Sequence, residues 1–220
     1  MTGKLIVLDG LDGSGKSTQF ELLQKNLKKL KRRVLPISFP DYAEPSSALV
    51  KMYLAGEFGT DANSVNAYAA SSFYAVDRFA SYKKYWKRDY EEGALVLAAR
   101  YTTSNAIHQM SKLPEGEWDS YLNWLEDYEY HLLGLPKPDL VLFLDMPLEV
   151  SQKLLSSRYG GDNSKKDIHE INVEYLLSCR KAALYAASRC GWKVLPCSKG
   201  SSPRSIDEIQ KDILNLIDGM

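Results

Sequence analysis

The sequence predicts a doubly wound α/β domain, in which a five-stranded parallel sheet carries helices on both faces. Two observations support this prediction: short apolar runs alternate with longer segments of helical spacing, and the runs are apolar throughout. Strands of that kind are buried on both faces, as in parallel sheets that helices cover. The alternation then implies right-handed β–α–β crossovers. The predicted strands are residues 5–9, 34–39, 94–99, 140–145 and 192–197.

The helical spacing predicts six long helices, the last of which carries its own start signal. Ser205 is a suitable N-cap for this helix, and Glu208 follows three residues later. Residues 156–167, which are rich in glycine, serine and charge, are predicted to form a mobile lid within a single domain of residues 1–220. The six helices are predicted over residues 18–30, 65–90, 117–132, 148–157, 169–190 and 206–217.

Composition excludes several classes of protein. The 220 residues are 45% hydrophobic and 25% charged, and 28 basic residues balance 28 acidic ones. This balance argues against a nucleic-acid or membrane-surface partner. Three cysteines without CxxC spacing favour buried thiols in a reducing compartment. No apolar run has the length of a signal peptide or a membrane span, so we expect a cytoplasmic protein.

Residues 10–17, here called the phosphate turn, spell GLDGSGKS and match G-x-x-x-x-G-K-[ST] after the first strand. Glycines let backbone N–H groups turn inward around phosphate oxygens at a helix N-terminus. Lys16 is expected to contact the β- and γ-phosphates, and the Ser17 hydroxyl to bind Mg²⁺. The motif predicts a domain of the P-loop NTPase type that binds a nucleoside triphosphate. The expected contacts with this nucleotide, which is ATP if the resemblance given below holds, are Gly10, Asp12, Gly13, Ser14, Gly15, Lys16, Ser17 and Thr18.

Features elsewhere in the sequence limit the reactions in which the γ-phosphate could take part. The sequence contains no N-K-x-D after a later strand, which argues against a GTPase switch. A small domain with a glycine-containing lid late in the chain favours phosphoryl transfer to a small acceptor, because a closing lid excludes water.

Three segments could form the acceptor site: residues 39–50, 71–79 and 99–109. In the second, Tyr74 and Arg78 lie four residues apart on one helical face, so that a ring and a guanidinium could recognise a base together. Each has a plainer interpretation, since Tyr74 could belong to the core and Arg78 could pair with an acid such as Asp77.

Taken together, the order GLDGSGKST, FP, FYAVDR, RYTTSNAIHQ and a basic lid resembles the thymidylate kinase family over nearly the whole chain. The resemblance implies transfer of the γ-phosphoryl group of ATP to dTMP, giving dTDP and ADP, with Mg²⁺, in a homodimer. It also assigns catalytic roles to Lys16, Arg100 and Arg158.

The same resemblance assigns the dTMP contacts. Tyr74 occupies the position of a ring that stacks on thymine, Arg78 that of an arginine at the thymine O4, and Asn105 that of a side chain at the N3 edge. His108 stands where a tyrosine often excludes ribose, and Arg100 where an arginine binds the acceptor phosphate. Asp12 matches an acidic position near the sugar and the metal. The full set is Asp12, Phe39, Tyr74, Arg78, Arg100, Ser104, Asn105 and His108.

The sequence departs from the family pattern in two places. No arginine stands among the variable positions of the phosphate turn, so a catalytic cation is expected from Arg158, Lys165 or Lys166 in the lid. Ala99 replaces the aspartate that precedes the family's phosphate-binding arginine. We expect slow turnover from this alanine, with Ala99→Asp raising kcat on the order of tenfold, unless Asp9 or Asp12 takes over.

Two alternatives to dTMP kinase remain open. One is another nucleotide or deoxynucleoside kinase of the same fold. The other is a nucleotide-binding protein in which the missing aspartate marks weakened catalysis.

Overall fold

The computed structural model describes residues 2–29, 33–158 and 173–219. Five strands form one parallel sheet in the order β2-β3-β1-β4-β5. The predicted fold class is confirmed, and each predicted strand end lies within one residue of the observed end. The strands are β1 (Lys4–Gly10), β2 (Val34–Ser38), β3 (Leu95–Ala99), β4 (Leu140–Asp145) and β5 (Lys193–Pro196).

The described ranges contain the helices α1 (Lys16–Lys29), α2 (Ala48–Leu54), α3 (Ala67–Ser81), α4 (Lys87–Glu91), α5 (Thr102–His108), α6 (Trp118–Glu126), α7 (Leu148–Arg158), α8 (Val173–Cys190) and α9 (Ile206–Asp218). The predicted capping box of α9 is confirmed, because the Ser205 hydroxyl accepts from the Glu208 N–H while the Glu208 carboxylate accepts from the Ser205 N–H. Helix α5 and a short antiparallel ribbon, β6 (Ser198–Lys199) with β7 (Ser202–Pro203), were not predicted. None of these helices is both long and apolar enough to cross a membrane.

Two predicted helices are interrupted by wide, π-type turns. Residues 65–90 divide into α3, a π turn at Tyr82–Trp86, and α4, while residues 117–132 divide into α6 and a π turn at Asp127–Leu132. A π turn inserts a residue into the helical repeat and therefore rotates the side chains that follow. In the second turn this rotation accompanies the complete burial of the acidic residue Glu129.

The core lies in two layers, one on each face of the sheet. On one face, α1 and α9 pack against alternate residues of the central strands. On the other face, aromatic side chains of the first π turn, with α5 and α8, cover the remaining alternate residues. Because both faces are covered, nearly every residue of β1 is buried, which explains its unbroken apolar pattern.

The carboxyl ends of three neighbouring strands lie side by side. In the sheet register Leu8 pairs with Ala99, and Ser38 pairs with Ala99 from the other side. The segments that follow β1, β2 and β3 therefore emerge together at one edge, which is where ligands bind in sheets of this kind.

Candidate active site

A cavity of about 320 Å³ opens at this edge, between the phosphate turn, the segment after β2, and helices α3 and α5. Ten residues predicted from the sequence line it: Asp12, Lys16, Ser17, Phe39, Tyr74, Arg78, Arg100, Ser104, Asn105 and His108. Ala99 also lines it, together with four further residues of the segments 39–50 and 99–109 predicted for the acceptor site: Pro40, Tyr42, Tyr101 and Gln109. Ser38, the last residue of β2, and Leu54, the last residue of α2, also line the cavity and were not predicted.

The phosphate turn is shaped by its glycines. Gly13 and Gly15 have φ angles of 76° and 83°, a region that other residues seldom adopt. A side chain at Gly10 would meet the Ser14 hydroxyl at 2.6 Å and the Leu144 carbonyl at 2.9 Å. Within the described residues, the buried Ser14 hydroxyl has no hydrogen-bond partner. The turn thus presents backbone and hydroxyl donors of the kind that bind phosphate.

Lys16 is the first residue of α1, and its Nζ donates to the Gly10 carbonyl at 3.0 Å. Burial lowers the pKa of Lys16 to about 8, and the nearby positive charge of Arg100 acts in the same direction. Asp12 and Asp9 oppose this shift. A negatively charged ligand at the phosphate turn would stabilise the protonated amine in the same way.

Arg100 joins the phosphate turn to α5. Its Nη2 donates to the Asp12 carboxylate at 2.6 Å, while Nη1 lies 3.0 Å from His108 Nε2 and 3.5 Å from the Ser104 hydroxyl. Burial disfavours the charge on Arg100, but Asp12 and Asp9 outweigh burial and raise the pKa of the guanidinium. Arg100 also has a φ of 64°, a strained conformation for a residue with a side chain and one that is common at functional sites.

Asp9, the penultimate residue of β1, is a second acid beside Arg100. Its carboxylate is fully buried and lies 3.8 Å from the Arg100 Nη1. Oδ2 accepts hydrogen bonds from Thr103 at 2.6 Å and from Ser104 at 2.8 Å. Two carboxylates are thus within ion-pair distance of the arginine that follows Ala99.

Arg78 pairs with an acid that the sequence analysis missed. Its Nε and Nη2 donate to the two oxygens of Glu129 at 2.7 and 2.5 Å, and both side chains are almost completely buried. The suggested pairing with Asp77 is wrong, since Asp77 accepts from the Asp41 N–H and the Ser46 hydroxyl. Burial disfavours the charge on Arg78, but Glu129 more than compensates and raises its pKa. Glu129 is the only buried residue of its π turn, and nothing in the sequence distinguishes it from the neighbouring acids Glu126 and Asp127.

Asn105 belongs to the same buried network. Its Nδ2 donates to Glu129 at 3.1 Å and to the Ser71 carbonyl at 3.2 Å. Tyr74 lies at the side of the cavity, with its ring 6.5 Å from that of Tyr53 in an edge-on arrangement. Tyr74 is half-buried rather than part of the core, so the interpretation as a core residue is wrong.

The remaining predicted site residues surround the cavity or lie outside the described part of the chain. Gly10, Gly13, Ser14, Gly15 and Thr18 belong to the phosphate turn and the start of α1. The first three residues of the predicted lid, 156–158, form the last turn of α7. The rest of the lid, with Lys165 and Lys166, lies outside the described residues, as does the side chain of Arg158.

Comparison with known proteins identifies the same family along most of the chain. Residues 8–213 match the family model described as thymidylate kinase. The thymidylate kinase of Mycobacterium tuberculosis is 32% identical over 193 residues, which span 86% of this chain and 87% of that protein. The probable thymidylate kinase of Pyrobaculum aerophilum is 28% identical, over 96% of this chain and 95% of that protein.

A solved structure supports the fold independently. The thymidylate kinase of Candida albicans aligns with a TM-score of 0.72 at 22% identity, over 99% of this chain and 92% of that one. The fold, the phosphate turn beside the cavity and the family match together identify a nucleoside monophosphate kinase of the P-loop type. The chain belongs to the thymidylate kinase family, the kinases that use ATP to phosphorylate dTMP to dTDP. The predicted family, fold and enzyme class are confirmed.

Proposed function

We propose that this chain transfers the γ-phosphoryl group of ATP to dTMP, with the donor on the phosphate turn and the acceptor in the cavity. The observation that carries the proposal is the position of Arg100, which contacts Asp12 on the donor side and His108 on the acceptor side. An acceptor phosphate bound to Arg100 would lie close to Lys16, whose charge interacts with that of Arg100. In this arrangement an oxygen of dTMP attacks the γ-phosphorus and ADP leaves.

The protein's contribution to this step is positioning and charge. The transition state of phosphoryl transfer spreads negative charge over the oxygens of the transferring group, so cations held nearby stabilise it. Lys16 and Arg100, which both line the cavity, supply two such cations. Asp12 orients Arg100 through a charge-assisted hydrogen bond, which is stronger and more directional than a neutral one.

The acceptor base occupies the deep end of the cavity in this proposal. Tyr74 stacks on the thymine, Arg78 donates to O4, and Asn105 contacts N3, while Phe39 and Ser104 complete the pocket. His108 takes the place beside the sugar, where its ring is already fixed by Arg100. These assignments rest on the resemblance and on the shared cavity.

Magnesium is part of the proposal, and the donor set at the phosphate turn fits it. Mg²⁺ prefers oxygen ligands and usually shares them between the protein, waters and the substrate phosphates. Ser17 provides an exposed hydroxyl at the start of α1, and Asp12 provides a carboxylate on the same cavity wall. When bound, the ion neutralises charge on the donor phosphates. Ser17 would hold it, and Asp12 would contribute at longer range while it stays paired with Arg100.

The lid, the dimer and the cellular location also remain proposals. We propose that residues 156–167 close over ATP and present Arg158, Lys165 or Lys166 to the transferring group, a role that the phosphate turn cannot fill because it has no arginine. Protection of this segment from limited proteolysis by a two-substrate analogue is the expected result.

A homodimer is supported by the family resemblance and by exposed apolar side chains on the packed pair α2 and α3, among them Leu49 and Val76. Size-exclusion chromatography with light scattering tests it, with Val76→Asp as the variant expected to weaken association. The three cysteines are free, which supports a reducing compartment such as the cytoplasm.

A coupled ADP-release assay across acceptors tests the proposed function. With ATP as donor, dTMP is expected to give the highest kcat/KM among dTMP, dCMP, dGMP and thymidine. Preference for thymidine would indicate a deoxynucleoside kinase instead. Binding of both nucleotides without ADP release would indicate a nucleotide-binding protein with lost catalysis.

A further inference from the structure

The buried carboxylate of Glu129 contacts both side chains that the proposed function places at the edge of the acceptor base. Glu129 lies in the π turn at Asp127–Leu132, and its side chain is completely buried. One oxygen, Oε2, accepts from Arg78 Nε, and the other, Oε1, accepts from both Arg78 Nη2 and Asn105 Nδ2. Glu129 therefore bridges α3 and α5 behind the cavity.

The contact with Arg78 fixes the plane of the guanidinium. Two parallel hydrogen bonds between an arginine and a carboxylate leave little rotational freedom. Glu129 uses the Nε–H and one Nη2–H, so the second Nη2–H and the two N–H groups of Nη1 remain, and the hydrogen bond of Nη1 to the Tyr101 carbonyl is a long one of 3.4 Å. Because Arg78 lines the cavity and a guanidinium has no acceptor, Arg78 can offer only a donor there.

The contacts of Asn105 fix the orientation of its amide. Glu129 Oε1 and the Ser71 carbonyl are both acceptors, so the group that faces them must be the amino group. Reversal of the amide would place an oxygen against two oxygens. The carbonyl oxygen Oδ1 is consequently the group that Asn105 can offer to the cavity, and it is an acceptor.

The cavity therefore offers a donor from Arg78 and an acceptor from Asn105. Thymine carries the complementary pair, since O4 accepts and N3–H donates. Cytosine carries the opposite pair, because its exocyclic amine donates and its N3 accepts. Resting on the proposed function, we infer that Glu129 is a positioning residue that sets the preference for thymine over cytosine by orienting Arg78 and Asn105 together.

The test compares Glu129→Gln with Asp127→Asn. Asp127 is exposed in the same π turn and contacts His131, so its variant controls for a change of charge in this segment. A glutamine retains the volume of Glu129 but replaces one acceptor oxygen with a donor. We expect the kcat/KM ratio of dTMP to dCMP to fall about tenfold or more in Glu129→Gln, through a higher KM for dTMP with kcat within about threefold. Asp127→Asn should retain the ratio of the unmodified enzyme.

A folded Glu129→Gln variant with an unchanged ratio would overturn the inference, because general loosening of the cavity lowers activity toward both acceptors alike. If this variant does not fold, Glu129→Asp carries the test. It keeps the charge opposite Arg78 but is shorter by one methylene, so we expect it to lower the ratio as well. An unchanged ratio in a folded Glu129→Asp variant would also overturn the inference. Failure of the unmodified enzyme to phosphorylate dTMP would instead overturn the proposed function.

Discussion

The two halves of the candidate site differ in how their polar groups are satisfied. In the base pocket, defined by Tyr74, Arg78, Asn105 and Glu129, buried donors and acceptors pair with one another. In the phosphate turn, the buried Ser14 hydroxyl has no partner within the described residues, and burial lowers the pKa of Lys16.

This difference indicates a division of work between the two halves. A closed network holds its side chains in fixed positions before a ligand arrives, which reduces the entropy lost on binding and favours selectivity. The phosphate turn contains groups whose best partners are phosphate oxygens. We therefore expect variants in the base pocket to change stability and selectivity, and variants in the phosphate turn to change turnover.

The largest expected effect is that of Lys16→Ala. Removal of a cation that stabilises the transferring group should lower kcat/KM at least about 100-fold. The fold should be unharmed, because a half-buried lysine whose pKa is lowered costs stability at neutral pH. Steady-state kinetics and thermal melting measure the two effects. Lys25→Ala, at an exposed position of the same helix, is the matched control, and a Lys16→Ala variant with near-native turnover would contradict the assignment.

The second prediction contrasts the two arginines. Arg78→Ala leaves the buried Glu129 unpaired and should cost about 3–5 kcal/mol of stability, with a raised KM for dTMP as its main kinetic effect. Arg100→Ala should cost much less stability, because that side chain is partly exposed, but should lower kcat about tenfold or more. Chemical denaturation and steady-state kinetics of both variants test this contrast. Equal changes in stability, KM and kcat in the two variants would contradict it.

The same contrast explains what the sequence could predict. The phosphate turn could be predicted as one unit because its residues are contiguous, and its backbone has positive φ at Gly13 and Gly15. The base pocket could be predicted only in part, since Glu129 lies 51 residues from Arg78 in the chain and the sequence contains other acids, Glu126 and Asp127, beside it. The parallel sheet could be predicted from its apolar runs, but helix α5 was missed because most of its residues are polar: Ser104, Asn105 and His108 line the cavity, while Thr102 and Thr103 are buried.

The third prediction concerns pH. The pKa of Lys16 is about 8, so the free protein loses the positive charge at the phosphate turn as the pH rises through that value. The Kd for Mg–ATP should therefore increase about tenfold between pH 7 and pH 9, and should change little in Lys16→Arg, because arginine keeps its charge over this range. Calorimetric titration at several pH values measures both. An unchanged Kd in the unmodified protein would show that another group dominates.

The lowered pKa of Lys16 also predicts how the free energy of unfolding depends on pH. This pKa is lowered in the folded protein relative to about 10.4 in the unfolded chain, so between about pH 8 and pH 10.4 the unfolded chain binds more protons at this residue. The contribution of Lys16 to the free energy of unfolding should therefore rise with pH across that window. Lys16→Ala should lack this rise when the two unfolding curves are compared.

The smallest expected effect is that of Ala99→Asp. From the sequence we expected a gain in kcat on the order of tenfold, because a carboxylate at this strand end would orient Arg100 and hold waters of the metal. Asp9 and Asp12 already lie within ion-pair distance of Arg100, so these two carboxylates can orient Arg100 without an aspartate at position 99. The introduced carboxylate would therefore act only by holding waters of the metal. We expect a gain of about threefold in kcat, with little change in dTMP affinity.

Ala99→Asp should also alter the phosphate turn in a way that can be measured separately. Ala99 lines the same cavity as Lys16, so a new carboxylate there would favour the protonated amine. The rise in the Kd for Mg–ATP should consequently move to higher pH in Ala99→Asp, but not in Ala99→Asn, which has the same size without the charge. A raised kcat in both variants would assign the effect to shape rather than charge. A lower kcat in Ala99→Asp would mean that Asp9 and Asp12 already complete the acidic side of the site, and that a third carboxylate only opposes the negative phosphates.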